Sequence, residues 1–511
     1  MQRDGFTQSL WQHNMTSPGL SEPKSPAGVF DVLIIGAGIT GITTGLLLQK
    51  AGKRCIVIDS EELGFGTTGG TTAHLNTLLD TTYADISKDF GEENARLVAQ
   101  GAREALDLIK ANVTTLGIDC GYSEQPGFLF SQTPDQTKEL DKIAEAAQKA
   151  GLDVADSDRI PVPLPFEKAI VVQGQAQFHP ILYLYALAKA YQQAGGLLLE
   201  HCRFTESKQD NVIEVSTSLG LFQTRNLIYA THIPPGVNLL SLRCAPYRSY
   251  AVAAKLSGDQ YPAGLCYDLY EPYHYFRTQE MEGEKFLIVG GEDHKTGHQE
   301  NTETCFLQLE AYVKKYYPVE KFAFRWSSQL FEPADGLPYI GRMPASGDHV
   351  FVASGFSGNG LTYGTLSAIV LTAQITEGSS PYEKLFSPSR IKPIAGFVNF
   401  VKENADVAKE FVTGRFHASA IKEVSELARG EGRLVKYEGQ RIGLYRDDNG
   451  ALHAVDPVCT HAKCIVSWNT AERSWDCPCH GGRFTPEGKL ITGPPAHDLQ
   501  KIDLEQLETE K

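Results

Sequence analysis

Apolar positions run without interruption through Asp31-Val-Leu-Ile-Ile35. Such a run predicts a strand of a parallel sheet covered on both faces. A helical apolar pattern follows to about Lys50, and a second run, Cys55-Ile-Val-Ile58, ends at Asp59. His179-Pro180 opens a predicted helix, Ile181 to Ala194, closed by Gly195-Gly196 before another strand. Asn226-Leu-Ile-Tyr-Ala-Thr231 and Val350-Phe-Val-Ala353 read as late strands of the same sheet, and a last helix runs to about Glu377. Between about 240 and 330 the pattern turns to alternation, as in Ser249-Tyr-Ala-Val-Ala-Ala254 and Lys285-Phe-Leu-Ile-Val289. Alternation of this kind predicts an antiparallel sheet with one face over a ligand. From 388 to 427, Phe397, Phe400, Val401, Val407, Ala408 and Phe411 recur at helical spacing, which predicts a helical linker. A polar, Gly-flanked stretch, Ala428 to Arg433, then leads into a final set of short strands.

Composition narrows the picture. A chain of 511 residues is long enough for two to four domains. Its net charge of −15 argues against nucleic acid or an anionic membrane surface as partner. The longest apolar candidate for a membrane span, Val32 to Leu48, is broken by Gly36, Gly38, Gly41 and Gly45. Residues 1–28 read as a polar tail without the apolar core of a signal peptide, so a cytoplasmic location is expected. Six of the ten cysteines (Cys55, Cys120, Cys202, Cys244, Cys266 and Cys305) are scattered and read as buried free thiols, while the other four fall between 459 and 479.

Two motifs carry chemistry. Gly36-Ala-Gly38-Ile-Thr-Gly41 sits between the first strand and its helix, and Asp59 ends the second strand. This is a dinucleotide fingerprint in the required context: a tight turn, close backbone approach to a pyrophosphate, and an acid for a ribose hydroxyl. It leaves FAD and NAD open. Asp335-Gly-Leu-Pro-Tyr-Ile-Gly341 and the glycine-rich helix start Ser354-Gly-Phe-Ser-Gly-Asn-Gly-Leu-Thr-Tyr-Gly364 complete the pattern. With both ends in this order, residues 29–387 resemble the D-amino-acid oxidase and glycine oxidase family. The resemblance implies FAD, held by Gly36, Gly38, Gly41, Asp59, Gly355, Gly358, Asn359, Gly360, Leu361 and Thr362.

The substrate side is less defined. Tyr247, Arg248, Tyr250, Tyr273, Tyr275 and Arg277 are candidate pocket residues, with ordinary sheet packing as the alternative for each. His74 follows Gly70-Thr-Thr-Ala and, by resemblance to members with covalently attached FAD, is a candidate for attachment, for a pocket role, or for a plain hydrogen bond. Members that oxidise α-amino acids usually place an Arg after a Trp-x-Gly to hold the substrate carboxylate. Here the segment is Trp326-Ser-Ser-Gln-Leu-Phe331 without that Arg, and Arg325 on the other side is expected to point elsewhere. An amine therefore fits better than a simple amino acid.

The second motif is Cys459-Thr-His461, fifteen residues, then Cys477-Pro-Cys479-His480. Two Cys-and-His pairs in loops suit a [2Fe–2S] cluster with thiolates on one iron and imidazoles on the other, and the residue order argues against a zinc finger. With Cys464, Cys479 and Gly493-Pro494-Pro495 in place, the segment resembles a Rieske domain, expected to occupy 428–511. The resemblance implies Cys459, His461, Cys477 and His480 as ligands and a Cys464–Cys479 disulfide. It also shows a departure: Gly482 and Phe484 stand where high-potential members carry Ser and Tyr. Loss of hydrogen bonds to sulfur predicts a low-to-middle potential within the range of about −150 to +300 mV.

Glu292-Asp293-His294 and His298 contain the two-His-one-carboxylate ligand types of non-haem iron. The glycine-flanked stretch reads instead as a solvated loop. The whole predicts an α/β FAD-binding, Rossmann-like domain with an antiparallel-sheet substrate domain, followed by a small all-β Rieske domain. The expected function is oxidation of a C–N bond of a small amine-like substrate, with electrons passing through the cluster to a redox protein or small acceptor. A reversed flow, from a donor through the cluster to the flavin, and a non-catalytic redox sensor are the alternatives. A homo-oligomer is possible on the sequence, because a cluster on a separate domain could serve a second subunit's flavin.

Overall fold

The computed structural model describes residues 3–16, 28–391, 427–437 and 440–504. The predicted linker helix around Phe397 to Phe411 lies outside them.

The first sheet runs in the order Tyr339–Arg342, Val350–Ser354, Gly220–Tyr229, Val29–Ile35, Cys55–Ile58, Leu197–Leu199. Its central pairings are parallel, and only the Tyr339–Arg342 strand and a hairpin at Phe204–Thr217 pair antiparallel. Val32, Leu33 and Ile34 are fully buried, as expected when helices cover both faces. Helices Ile39–Lys50 and Gly360–Thr376 pack together on one of those faces. Gly41 makes the fit possible, because a Cβ there would stand 1.8 Å from the Gly36 carbonyl oxygen.

The second sheet is larger than the alternating region of the sequence indicates. It runs Val319–Pro333, Cys244–Leu256, Glu284–Lys295, Tyr275–Met281, Leu265–Tyr267, Ser123–Ser131, Lys168–Gln177, His74–Leu75, so that strands from the first half of the chain extend it. Two four-stranded antiparallel sheets make up the C-terminal domain: Gly432–Tyr437, Gln440–Arg446, Leu452–Val455 and Lys501–Ile502, then Ser467–Asn469, Ser474–Asp476, Arg483–Phe484 and Leu490–Thr492. No helix among the described residues is long and apolar enough to cross a membrane.

Residues 3–16 pack as a strap against both parts of the molecule. Leu10 and Trp11 are fully buried, and the Trp11 indole N–H donates to the Thr71 carbonyl oxygen. Arg3 and Asp4 are buried between the two domains.

A cofactor cavity and a cluster site on two faces of one sheet

A cavity of about 880 Å³ lies between the first two sheets. Gly36, Gly38, Asp59, Gly358, Asn359, Gly360 and Leu361 line it, joined by Thr68, Asn76, Asp80 and Ser328, which carry no sequence motif. Gly41, Gly355 and Thr362 do not reach its wall. Gly41 serves helix packing, Gly355 is packed against Pro333, and the Thr362 hydroxyl donates to the Asn76 carbonyl at 3.0 Å. Asp59 accepts from the Ala37 amide at 2.7 Å and the Glu61 amide at 3.0 Å, and burial pushes its pKa up to about 6. A glycine-floored cavity of this size, with an acid at the end of the second strand, fits a dinucleotide.

The Val319–Pro333 and Cys244–Leu256 strands wall the cavity, and alternation decides which side chains face it. Trp326, Ser328, Ser249 and Ala251 line the cavity. Ser327, Gln329, Arg248 and Tyr250 make their hydrogen bonds to the far side, with Gln329 also reaching the cavity wall. Two expected pocket residues are corrected by this parity. Arg248 is fully buried against Glu472 and the Ser327 hydroxyl. Tyr250 bonds His294 Nε2 at 2.9 Å and packs on Phe306. Arg277 is also turned from the cavity: its guanidinium donates to the carbonyls of Thr72, Ala73 and Phe178 and stacks over Trp11.

Tyr273, Tyr275 and His74 do line the cavity. His74 Nδ1 lies 3.1 Å from the Thr72 hydroxyl. Burial, and then the charge of Arg277, pushes its pKa down to about 3, so the ring is neutral. The stretch read as a solvated loop is the end of the Glu284–Lys295 strand. The ladder to Cys244–Leu256 slips between Arg248 and Tyr250, and Glu292 takes φ +57°. This β-bulge re-aims Asp293 into the cavity, while His294 bonds Tyr250 on the other face, so the two do not converge on one metal.

The C-terminal domain docks on the far face of that same sheet. Cys459 and Cys477 are buried side by side in its core, and the rings of His461 and His480 stand perpendicular with centroids 4.8 Å apart. Among the described residues the ring nitrogens of both histidines meet no hydrogen-bond partner, which fits metal-binding imidazoles. Sγ atoms of Cys464, Cys477 and Cys479 lie within 4.8 Å of one another, but Cys464 and Cys479 share a disulfide with Cα atoms 6.5 Å apart. The disulfide leaves Cys459 and Cys477 as free thiols beside the two imidazoles, a donor set that fits two irons held by two thiolates and two imidazoles.

His480 is 5% exposed because it is pressed on the partner domain beside Cys244, Pro246 and Lys295. The next residue, Gly481, accepts from Gln329 Nε2 at 2.8 Å, and Pro494 accepts from the Gly236 amide at 2.8 Å. Leu490 to Gly493, Pro495 and Ala496 line the cofactor cavity itself. A buried charge cluster fixes the rest of the interface. Glu472 accepts from Arg3 Nη1 at 3.2 Å, from the Ser327 amide at 3.0 Å and from its hydroxyl at 2.6 Å, with Arg248 at 3.7 Å. Arg483 reaches Asp476 at 3.1 Å and Asp4 at 3.6 Å. Neither Glu472, Arg3, Asp4 nor Arg248 was legible as an interface residue, since none falls in a motif.

Comparison with known proteins agrees with this architecture. Residues 31–374 match the family described as FAD dependent oxidoreductase, and residues 417–503 match the Rieske [2Fe-2S] domain. A Bacillus subtilis (strain 168) protein provisionally named Rieske 2Fe-2S iron-sulfur protein YhfW is 35% identical over 478 residues, covering 93% of this chain and 94% of its own. Gamma-glutamylputrescine oxidoreductase of Escherichia coli (strain K12) is 23% identical over 350 residues, 65% of this chain and 80% of its own. Among solved structures, glycine oxidase from Geobacillus kaustophilus superposes with a TM-score of 0.60 at 19% identity, over 71% of this chain and all of its own. The chain is thus a member of the FAD-dependent oxidoreductase family that also carries a Rieske domain, with FAD and a [2Fe–2S] cluster as its two cofactors.

Proposed function

We propose that the FAD domain oxidises a C–N bond of a small amine or amino-acid-like molecule, and that the electrons leave through the Rieske cluster to an acceptor outside the chain. The observation that carries this reading is the shared sheet: Ser328 lines the cavity, and its neighbours Ser327 and Gln329 hold Glu472 and Gly481 of the cluster domain. Removing hydride from carbon and a proton from nitrogen leaves a C=N bond, which water hydrolyses to a carbonyl and a free amine. FAD supplies the conversion of that electron pair into single electrons. Two one-electron departures balance each substrate.

The chain's residues supply position and enclosure. Tyr273, Tyr275, Trp326 and His74 shape the substrate end of the cavity, and the loop from Leu490 to Ala496 helps to close it from water. The name of the Escherichia coli relative, which acts on gamma-glutamylputrescine, points to the same kind of substrate.

Anaerobic addition of small amines and N-methyl amino acids, with absorbance near 450 nm and the Rieske EPR signal followed together, tests the reading. Bleaching followed by a reduced-cluster signal supports it. A cluster that reduces from an external donor, with no bleaching by any amine, reverses the direction of flow.

A further inference from the structure

The substrate end of the cavity carries negative charge and almost no positive charge. Asp80 and Asp293 line the cavity, as do the exposed residues Asp85, Asp135, Glu139 and Glu271, of which Asp135 and Glu139 pair with Lys138 and Lys142. Among the described residues the single Lys or Arg on the cavity wall is Arg203, and it is spent on Glu61 (2.8 Å) and the Leu490 carbonyl (3.2 Å). Most of these acids have reasons to be where they are. Asp80, for example, accepts from the Gly358 amide at 2.5 Å and sits 3.4 Å from the Tyr273 hydroxyl. Asp293 is held on one side only: Ser249 hydrogen-bonds its carboxyl, but Oδ1 is fully buried and meets no hydrogen-bond partner among the described residues. An unpaired carboxylate oxygen in such a place is unfavourable unless a ligand pairs with it.

The walls beside Asp293 are aromatic. Tyr273 and Tyr275 have ring centroids 5.5 Å apart, and His74 lies 5.6 Å from Tyr275 and 5.5 Å from Tyr267. Their polar edges are tied back: Tyr275 to the Ser249 hydroxyl at 2.7 Å, and Tyr267 to Asn76 at 3.1 Å. All three tyrosine rings line the cavity, and His74 is neutral. A carboxylate amid tyrosine faces is a cage for an alkylammonium ion, which takes charge from one and cation–π attraction from the others. A substrate carboxylate, by contrast, would meet Asp80 and Asp293, while Arg277, whose charge reaches His74, is spent on the carbonyls of Thr72, Ala73 and Phe178.

We propose that this end of the cavity is a cation site, in which Asp293 and the faces of Tyr267, Tyr273 and Tyr275 hold the ammonium group of an alkylamine that has no carboxylate. The assignment deepens the proposed amine oxidation and rests on it for the word substrate, but the site is testable by binding alone. Burial, with Asp80 and Glu271 adding to it, pushes Asp293 up to about 7, as expected of a carboxyl without its counter-ion.

The probe is butyltrimethylammonium, which has no N–H and cannot be oxidised to an imine, set against its zwitterionic counterpart 4-(trimethylammonio)butanoate. Binding to the FAD-loaded protein is read from the flavin difference spectrum without turnover. The cation is expected to bind about tenfold or more tightly than the zwitterion. Asp293→Asn should lose that preference and Asp293→Glu should restore it, with bound flavin unchanged in both. Equal binding of the two probes, or an unchanged preference in Asp293→Asn, overturns the site. Preferred binding of the cation with no bleaching by any amine keeps the site and sinks the oxidation. Bleaching by zwitterionic amino acids alone does the reverse.

Discussion

Gln329 donates from Nε2 to the carbonyl oxygen of Gly481 at 2.8 Å, and the bond joins the wall of the flavin cavity to the residue that follows His480. Gly481 has no side chain to compete for this contact, and Pro246 packs on it from the same wall. Replacing Gln329 by Leu removes the donor and leaves a buried carbonyl unpaired, at about 1–3 kcal/mol. Stopped-flow measurement should show bleaching near 450 nm at its usual rate and a longer lag before the cluster signal. An unchanged lag would exclude Gln329 from the coupling of the two sites.

Glu472 anchors the interface through charge. Burial alone raises a carboxyl, but Arg3, Arg248 and Arg483 outweigh it and hold Glu472 down at about 2. A depressed folded value means stability that is complete above the ordinary carboxylate range, near 4.5, and lost as pH falls toward 2. Thermal unfolding and hydrogen exchange across residues 3–16 should therefore weaken between those values. Glu472→Gln at neutral pH leaves three buried cations short of a partner and should cost about 3–5 kcal/mol.

Gly482 stands where high-potential Rieske domains have Ser, and the reason is visible in the packing. A Cβ at this position would lie 2.5 Å from Pro495 Cγ. Gly482→Ser is expected to displace the proline loop and cost about 1–3 kcal/mol, by thermal melt followed through cluster circular dichroism. The same loop closes the flavin cavity, so flavin retention should fall with it. A variant that melts like the parent protein would show that Pro495 can yield.

Tyr250→Phe separates the two faces of the sheet. Its hydroxyl serves His294, away from the cavity. Loss of that bond should cost about 1 kcal/mol of stability and leave the half-saturating amine concentration unchanged. A raised amine requirement with intact folding would place Tyr250 in the pocket after all.

Sequence pattern reached the parts of this protein that repeat a local rule. The glycine turn at Gly36 to Gly41 needs its neighbours in register, and the Cys and His ligands need fixed spacings, so each is legible alone. The pocket was legible only in part because strand parity, not residue type, selects it: Ser249 and Ala251 face the cavity while the larger Arg248 and Tyr250 turn away. Asp293 was hidden by a bulge that a run of glycines made look like a loop. The docking of the two domains was illegible because its charges come from remote segments, and nothing local in Arg3 or Glu472 announces the other.

That remoteness orders the assembly of the protein in time. Arg3 and Glu472 are 469 residues apart. At about 5–20 residues per second, the ribosome makes the second roughly 20–90 s after the first. The Arg3–Glu472 contact can therefore form only when the C-terminal domain has emerged, whereas Leu10 and Trp11 can already pack on the first domain. A chain cut short before Glu472 would leave Arg3 and Asp4 without their partners Glu472 and Arg483, so proteolysis near them should report whether the C-terminal domain has docked.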